Sequence, residues 1–218
     1  MDFNKVKIIS VSSFLDKDMT IEEQIAYIAR VSNPENQELN KSTDKLCNYL
    51  IKNHHWSPFE MVNITIEIQT TRDISRQIVR HRSFSFQEFS QRYANPRIDL
   101  GFTLREARLQ HPKNRQMSVE TTNNNLKNKF IQMQEEMIRI QTEYYDFCIA
   151  NGIAKEQSRV ILSEGLTLTK LYMNGSLRSW IHYLKIRTDP LTTQKEHTDV
   201  ALKIKEQISL IFPLINSI

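Results

Sequence analysis

Arg80, His81 and Arg82 stand side by side. Ser90 follows after seven residues, and Arg92 lies two further on. Three permanent cations in thirteen residues repel one another, and they persist most easily beside something anionic, a phosphate or a carboxylate. The planar fork of arginine suits phosphate, which it can hold through two parallel hydrogen bonds. Ser85, Gln87, Ser90 and Gln91 add neutral donors to the same stretch. It reads as a phosphate-handling loop with side chains to spare for a polar ring. A solvated basic turn is the bland reading of any arginine-rich run. The ordered serines and Glu88 argue against it.

Three other stretches carry chemistry-bearing residues. His54-His55-Trp56-Ser57-Pro58-Phe59-Glu60 precedes an alternating segment; taken alone, His55 would be a satisfied loop histidine. Ala29-Arg30-Val31-Ser32 closes an early helix. In the last third, Arg159 precedes an apolar triplet. There too Ser176, Arg178, His182 and Arg187 lie on one helical run, with Arg178 and His182 four apart and so on one face. Together with the Arg-His-Arg stretch, these segments resemble the motifs of the flavin-dependent thymidylate synthases. They spread from residue 29 to 187, over most of the chain. Ser176 and His182 stand where some relatives have asparagine.

That resemblance implies conversion of dUMP to dTMP. Methylenetetrahydrofolate would give the carbon and NADPH the reducing equivalents, passed through FAD. It implies an FAD set of Ser32, Ser57, Arg80, His81, Arg82, Glu88, Ser176, Arg178 and His182. The dUMP set would be Gln77, Arg80, Glu88, Phe89, Ser90, Gln91, Arg92, Arg159 and Arg187, with His55 at the folate. Arg187 is the expected activator. A guanidinium beside the pyrimidine stabilises negative charge over N3 and its carbonyls, enriching C5 without an enzymic nucleophile. The family's homotetramer, with active sites shared between subunits, explains how FAD binds without a dinucleotide motif.

Several elements must position these residues. A strand is expected over 5–12. A capping box, Thr20 with Glu23, starts a helix running to about Ser32. A second helix spans 42–54, ended by the Ser57-Pro58 step. Residues 62–69 alternate strictly, with Val62, Ile64, Ile66 and Ile68 on one face and Asn63, Thr65, Glu67 and Gln69 on the other, a half-buried strand. A helix from 72 would deliver Gln77, Arg80 and His81 together at its end. Residues 93–118 read as partly irregular. A long helix follows over 118–150, whose Leu126, Phe130, Met133, Met137, Ile140, Tyr144 and Cys148 stripe reads as core packing, its length suiting an oligomer interface as well. A short helix at 154–163, a strand at 166–173 and helices at 176–186 and 193–212 complete the chain. Strands scattered among helices without regular βαβ alternation indicate α+β, here a mixed sheet flanked by long helices.

At 218 residues one domain, 1–218, is expected. Net charge is +4, which fits anionic ligands and also nucleic acid. Cys47 and Cys148 lack Cys-x-x-Cys spacing and read as reduced core residues of a cytoplasmic protein. No apolar run is long enough to span a membrane, and no signal-peptide pattern is expected at the N-terminus. Gly-x-Gly-x-x-Gly, the P-loop, His-Glu-x-x-His and Gly-x-Ser-x-Gly are all missing. His54 and His55, being adjacent, make a poor metal pair. Two other classes fit parts of the pattern. A nucleic-acid module using 72–92 would bind long polymers salt-sensitively, and an inactive relative would keep the fold without turnover.

Overall fold

The computed structural model describes residues 3–38 and 42–217. Strand β1 (Lys5–Val11) leads to helix α1 (Ile21–Ala29). The expected capping box is in place: Glu23 N–H donates to Thr20 Oγ1 at 3.2 Å, and Thr20 N–H donates to the Glu23 carboxylate at 2.8 Å. A 3-10 turn, Arg30–Ser32, follows. Helix α2 (Thr43–Lys52) and a 3-10 turn at Ser57–Glu60 precede strand β2 (Asn63–Thr71). Then come α3 (Arg72–Ile78), β3 (Ser85–Glu88), α4 (Pro96–Asp99) and the β4 (Arg108–Gln110)–β5 (Ser118–Glu120) hairpin. Helices α5 (Asn124–Ala150) and α6 (Lys155–Ser158), strand β6 (Leu168–Ser176) and helices α7 (Leu177–Arg187) and α8 (Lys195–Ser209) finish the order.

The class is α+β, as expected. The main sheet runs β1-β2-β6-β3, and each of its pairs is antiparallel rather than mixed. Its helices cover one face instead of bridging parallel neighbours. The alternation in β2 decides which face. Ile64, Ile66 and Ile68 are fully buried and stand opposite Gly175, Met173 and Leu171 of β6. They share one core with Trp180 and Leu184 of α7 and with Val200, Ala201, Ile204 and Ile208 of α8. The other face is polar and cross-linked. Asn174 Nδ2 donates to Thr65 Oγ1 at 2.8 Å, and Tyr172 OH donates to Glu67 at 2.8 Å.

Residues 80–92 are not one loop. They form a turn and then edge strand β3, because Phe84 is buried and Phe86 packs against the core. Residues 93–118 likewise hold a short helix and half of a hairpin. Helix α3 ends at Ile78, before Arg80 and His81, so these two leave it in a turn where His81 N–H donates to Ile78 O at 3.1 Å.

The expectation for α5 is overturned more sharply. Met133 and Tyr144 are 54% and 55% exposed, and Leu126, Phe130 and Met137 are exposed with them. Of the stripe, Cys148 is buried. The buried face is instead built on Gln134, Gln141 and Tyr145. Gln134 caps Arg105, accepting from its N–H at 2.8 Å and donating to its carbonyl at 2.9 Å. Gln141 Oε1 accepts from Ser163 N–H at 2.8 Å. Two amides seven residues apart satisfy loop backbone that would otherwise be buried unpaired, which turns the apolar stripe outward.

Gly175 marks the tightest contact. A Cβ there would lie 2.4 Å from Phe84 Cδ1 and 2.6 Å from Cε1. Gly175→Ala must therefore push the Phe84 ring off its seat. The expected cost is about 1–3 kcal/mol in denaturant unfolding, and an unchanged midpoint would show that the ring yields freely.

Candidate active site

Strand β2, strand β6 and helix α7 meet at one end of the sheet. There an open cleft of about 530 Å³ is lined by Glu60, Asn63, Ser83, Ser85, Asn174, Gly175, Ser176, Arg178, Ser179 and His182. Ser176 is the N-cap of α7, its oxygen accepting from Ser179 N–H at 3.3 Å. Its hydroxyl donates to Glu60 at 2.7 Å, and Arg178 pairs with the same carboxylate. The Ser176 hydrogen bond and then Arg178 hold the Glu60 carboxyl below its usual range, outweighing its partial burial. Glu60 thus remains an anion that aligns the first turn of α7. The lining is rich in hydroxyls and amides, and Arg82 directly precedes Ser83. Such a donor set suits the pyrophosphate and ring edges of a dinucleotide.

Of the expected FAD residues, this cleft gathers Ser176, Arg178 and His182. Arg80 and Arg82 lie exposed in the turn leading to it. Ser32 and Ser57 are exposed elsewhere and do not line it, and Glu88 points to another partner set. His55 is exposed, edge-on to Tyr49 with ring centroids 6.0 Å apart.

Across 106 residues of chain, Arg187 Nε donates to His81 Nε2 at 3.0 Å. Because Nε2 accepts, the ring must carry its proton on Nδ1. Burial first, then Arg187 and Arg80, push His81 down to about 4, so it is neutral near pH 7. Beneath it Tyr183 packs edge-on at 4.9 Å. Gln77 Oε1 can only accept, so His197 bonds it through Nδ1–H at 3.3 Å; its Nε2 accepts from Tyr183 OH at 2.9 Å. Gln77 in turn donates to Gln194 Oε1 at 2.7 Å. His197 is fully buried and pushed down to about 3 by burial, then by Arg187 and His81. Gln77 and His81 thus both stand against His197, Gln77 by its hydrogen bond and His81 with ring centroids 6.4 Å apart, while Arg80 is exposed.

Of the remaining substrate-set residues, Glu88 ends β3 and the others lie beyond it in the chain. Glu88 accepts from Ser75 and Thr169, each at 3.0 Å. Phe89 N–H donates to Lys170 O at 2.8 Å, extending the ladder. Ser90 Oγ accepts from Arg92 N–H at 3.3 Å, and Arg92 pairs with Glu156 at 3.2 Å. Gln91 is buried, and Arg159 lines a second cleft beside it. Ser85, singled out in the sequence as a neutral donor, does line the cleft, whereas sequence reasoning missed Asn63, Ser83, Asn174 and Ser179. The wet face of the β2 alternation already held the signal for Asn63. Nothing local pointed to Asn174.

Buried His197 and half-buried His81 both have lowered folded-state values against an ordinary 6.5. Between 6.5 and about 4 the unfolded chain binds more protons, so their contribution is complete above 6.5 and is lost as pH falls through that window. His197→Gln should flatten the stability slope between about pH 6 and pH 5 by up to about 1.4 kcal/mol per pH unit. Parallel slopes for the two proteins in pH-dependent unfolding would mean that His197 titrates as an exposed group.

Comparison with known proteins agrees with this geometry. Residues 14–214 match the family described as thymidylate synthase complementing protein. A flavin-dependent thymidylate synthase from Synechocystis sp. is 48% identical over 191 residues, covering 88% of this chain and 86% of that one. A probable flavin-dependent thymidylate synthase from Paramecium bursaria Chlorella virus 1 is 44% identical over 210 residues, covering 96% and 95%. The fold is also that of the UMP/dUMP methylase PolB from Streptomyces cacaoi, solved with 5-Br dUMP. There the TM-score is 0.82 at 24% identity, covering 98% of this chain and 93% of that one. With the Arg-His-Arg turn, the α7 residues and the whole-length matches in agreement, the chain belongs to the flavin-dependent thymidylate synthase family.

Proposed function

We propose that this chain, as one domain spanning 1–218, converts dUMP to dTMP in the cytoplasm. Methylenetetrahydrofolate is the carbon donor, NADPH the reductant and FAD the cofactor. The observation that carries this reading is the Arg187–His81 hydrogen bond. It ties the last residue of α7 to the centre of the Arg-His-Arg motif and holds a guanidinium on a neutral ring, so its positive charge is not offset by a carboxylate. Such a cation beside a pyrimidine stabilises negative charge over N3 and its carbonyls and so enriches C5.

FAD, when bound, supplies the redox chemistry; the protein binds and orients. The hydroxyl-rich cleft with Ser176, Arg178 and His182 fits the flavin nucleotide, joined by Arg80, His81 and Arg82 from the turn and by Ser32, Ser57 and Glu88. Ser90, Arg92 and Arg159 hold the dUMP phosphate, while Gln77, Arg80, Glu88, Phe89 and Gln91 complete that pocket. His55 stacks on folate. No enzymic nucleophile is needed. Cys47 is fully buried, and burial first, then Glu22 and Asp44, push its thiol up to about 12. Cys148 is buried too, and both cysteines are free.

Within one chain these groups stand apart, with Ser32 and His55 exposed away from the cleft. A homotetramer with shared active sites would bring them together, and the outward apolar stripe of α5 supplies a surface for a second copy. Among the described residues, no helix is long and apolar enough to cross a membrane.

The purified protein, given FAD and NADPH without air, should show a flavin band that bleaches at a rate altered by dUMP. A protein that takes up no flavin and ignores dUMP would overturn the reading. In Arg187→Ala, methyl transfer should fall by about 10²–10³, and full turnover with normal FAD and dUMP binding would remove Arg187 from the activator role. Light scattering should report four chains per particle; a monomer that is fully active would exclude shared sites.

A further inference from the structure

His197 is the third residue of α8 and is fully buried, yet no motif includes it and the proposed chemistry gives it no task. Its ring lies in a chain of side chains whose polarity is set from one end. Glu196 lines a cleft of about 630 Å³ between the β4–β5 hairpin and the start of α8, with Gln194 beside it. A carboxylate only accepts, so Gln194 must donate to Glu196 from Nε2, at 2.8 Å. Its oxygen is thereby turned to Gln77 and accepts from Nε2 of that amide at 2.7 Å. Gln77 Oε1 then faces His197 and needs a donor, which is Nδ1–H at 3.3 Å. The ring is neutral, held so by burial and then by Arg187 and His81, and has one proton to place. With that proton on Nδ1, Nε2 accepts from Tyr183 OH at 2.9 Å. Tyr183 is buried too, and its ring packs edge-on against His81, the partner of Arg187. Each direction in the chain follows from the one before it, so neither amide is free to flip.

We infer that His197 is a positioning residue for the nucleotide site: it sets which way the Gln77 amide faces and holds Tyr183 under the Arg187–His81 pair. The inference rests on the function proposed above, in which Gln77 belongs to the dUMP pocket. The bonds to His197 and Gln194 use one lone pair and one N–H of Gln77 and leave one of each, in fixed places, for the polar edge of the nucleotide. An amide free to turn would have to be ordered at each binding event. His197 touches no reacting atom and acts through Gln77 and Tyr183. Its two ring nitrogens have different duties, and substitutions can separate them. Asparagine carries its amide nitrogen one bond beyond Cγ, where the ring has Nδ1. Glutamine reaches the place of Nε2.

The test is steady-state dTMP formation by the flavin-loaded wild type, His197→Asn and His197→Gln at varied dUMP. His197→Asn keeps an N–H for Gln77, so KM for dUMP should stay within about twofold of wild type. His197→Gln keeps an acceptor for Tyr183 but lets Gln77 turn, so KM should rise about tenfold while kcat changes less, as for the loss of one ordering hydrogen bond. Nitrogen NMR of histidine-labelled wild type should show His197 with its proton on Nδ1. If a His197 variant fails to fold, Glu196→Gln serves in its place. The chain then has no fixed start, so KM for dUMP should rise several-fold, and an unchanged value would overturn the role. Equal KM values in the two His197 variants, or a wild-type ring protonated on Nε2, would overturn the positioning role and leave the synthase reading standing. A wild type with the Nδ1 tautomer but no dUMP-dependent chemistry would sink the synthase reading, and the role toward dUMP with it.

Discussion

The seat of Phe84 on Gly175 is the contact from which the rest of the site follows. No side chain other than hydrogen leaves room for the ring. Phe84 also meets Trp180 edge-on at 4.7 Å, and Trp180 donates from Nε1 to Ile64 O at 3.1 Å. One aromatic ring therefore couples β6, α7 and β2. It also anchors the turn that carries Arg80, His81 and Arg82. With that turn fixed, Ser83 and Ser85 fall on the first cleft and His81 meets Arg187. Displacing the ring would move cations and hydroxyls together, because they hang from the same few residues of backbone.

Charge is partitioned rather than pooled. The turn arginines are exposed to water, Arg178 is neutralised by Glu60, and Arg92 is paired with Glu156. Arg187 rests on a neutral partner, and that partner stays neutral because burial and neighbouring cations oppose its protonation. Under it the Tyr183–His197–Gln77–Gln194 chain fills the interior with satisfied polar groups, which costs little only because each donor has its acceptor. Strand β3, four residues long, separates two chemistries: a hydroxyl-lined cleft at its start and an arginine-lined one beyond its end.

Helix α5 follows a different rule. Its amphipathicity is real, but the polar face is the one turned inward, because loop backbone at Arg105 and Ser163 needs the two glutamines. A period-3.6 stripe states that a helix has an apolar side. It does not say whether the chain's own core or a neighbouring copy will cover it.

The sequence by itself determined the local elements. Alternation in 62–69 and the Thr20–Glu23 capping box each depend on neighbours within a few residues, where covalent geometry and propensity dominate; helix α2, expected to run to the Ser57-Pro58 step, already ends at Lys52. The sequence also determined, through motif spacing, which residue types matter. The tertiary structure decided what short-range signals cannot carry: that all four strands of the main sheet run antiparallel, that the stretch after Phe84 becomes an edge strand, and that Arg80 is exposed while Gln77 and His81 both stand against His197. It decided too that Arg187 finds His81, and that Arg72 and Arg76 sit beside Gln91 and Arg159. These contacts join residues up to about a hundred positions apart, and their geometry depends on how the helices and strands pack, which no local pattern encodes.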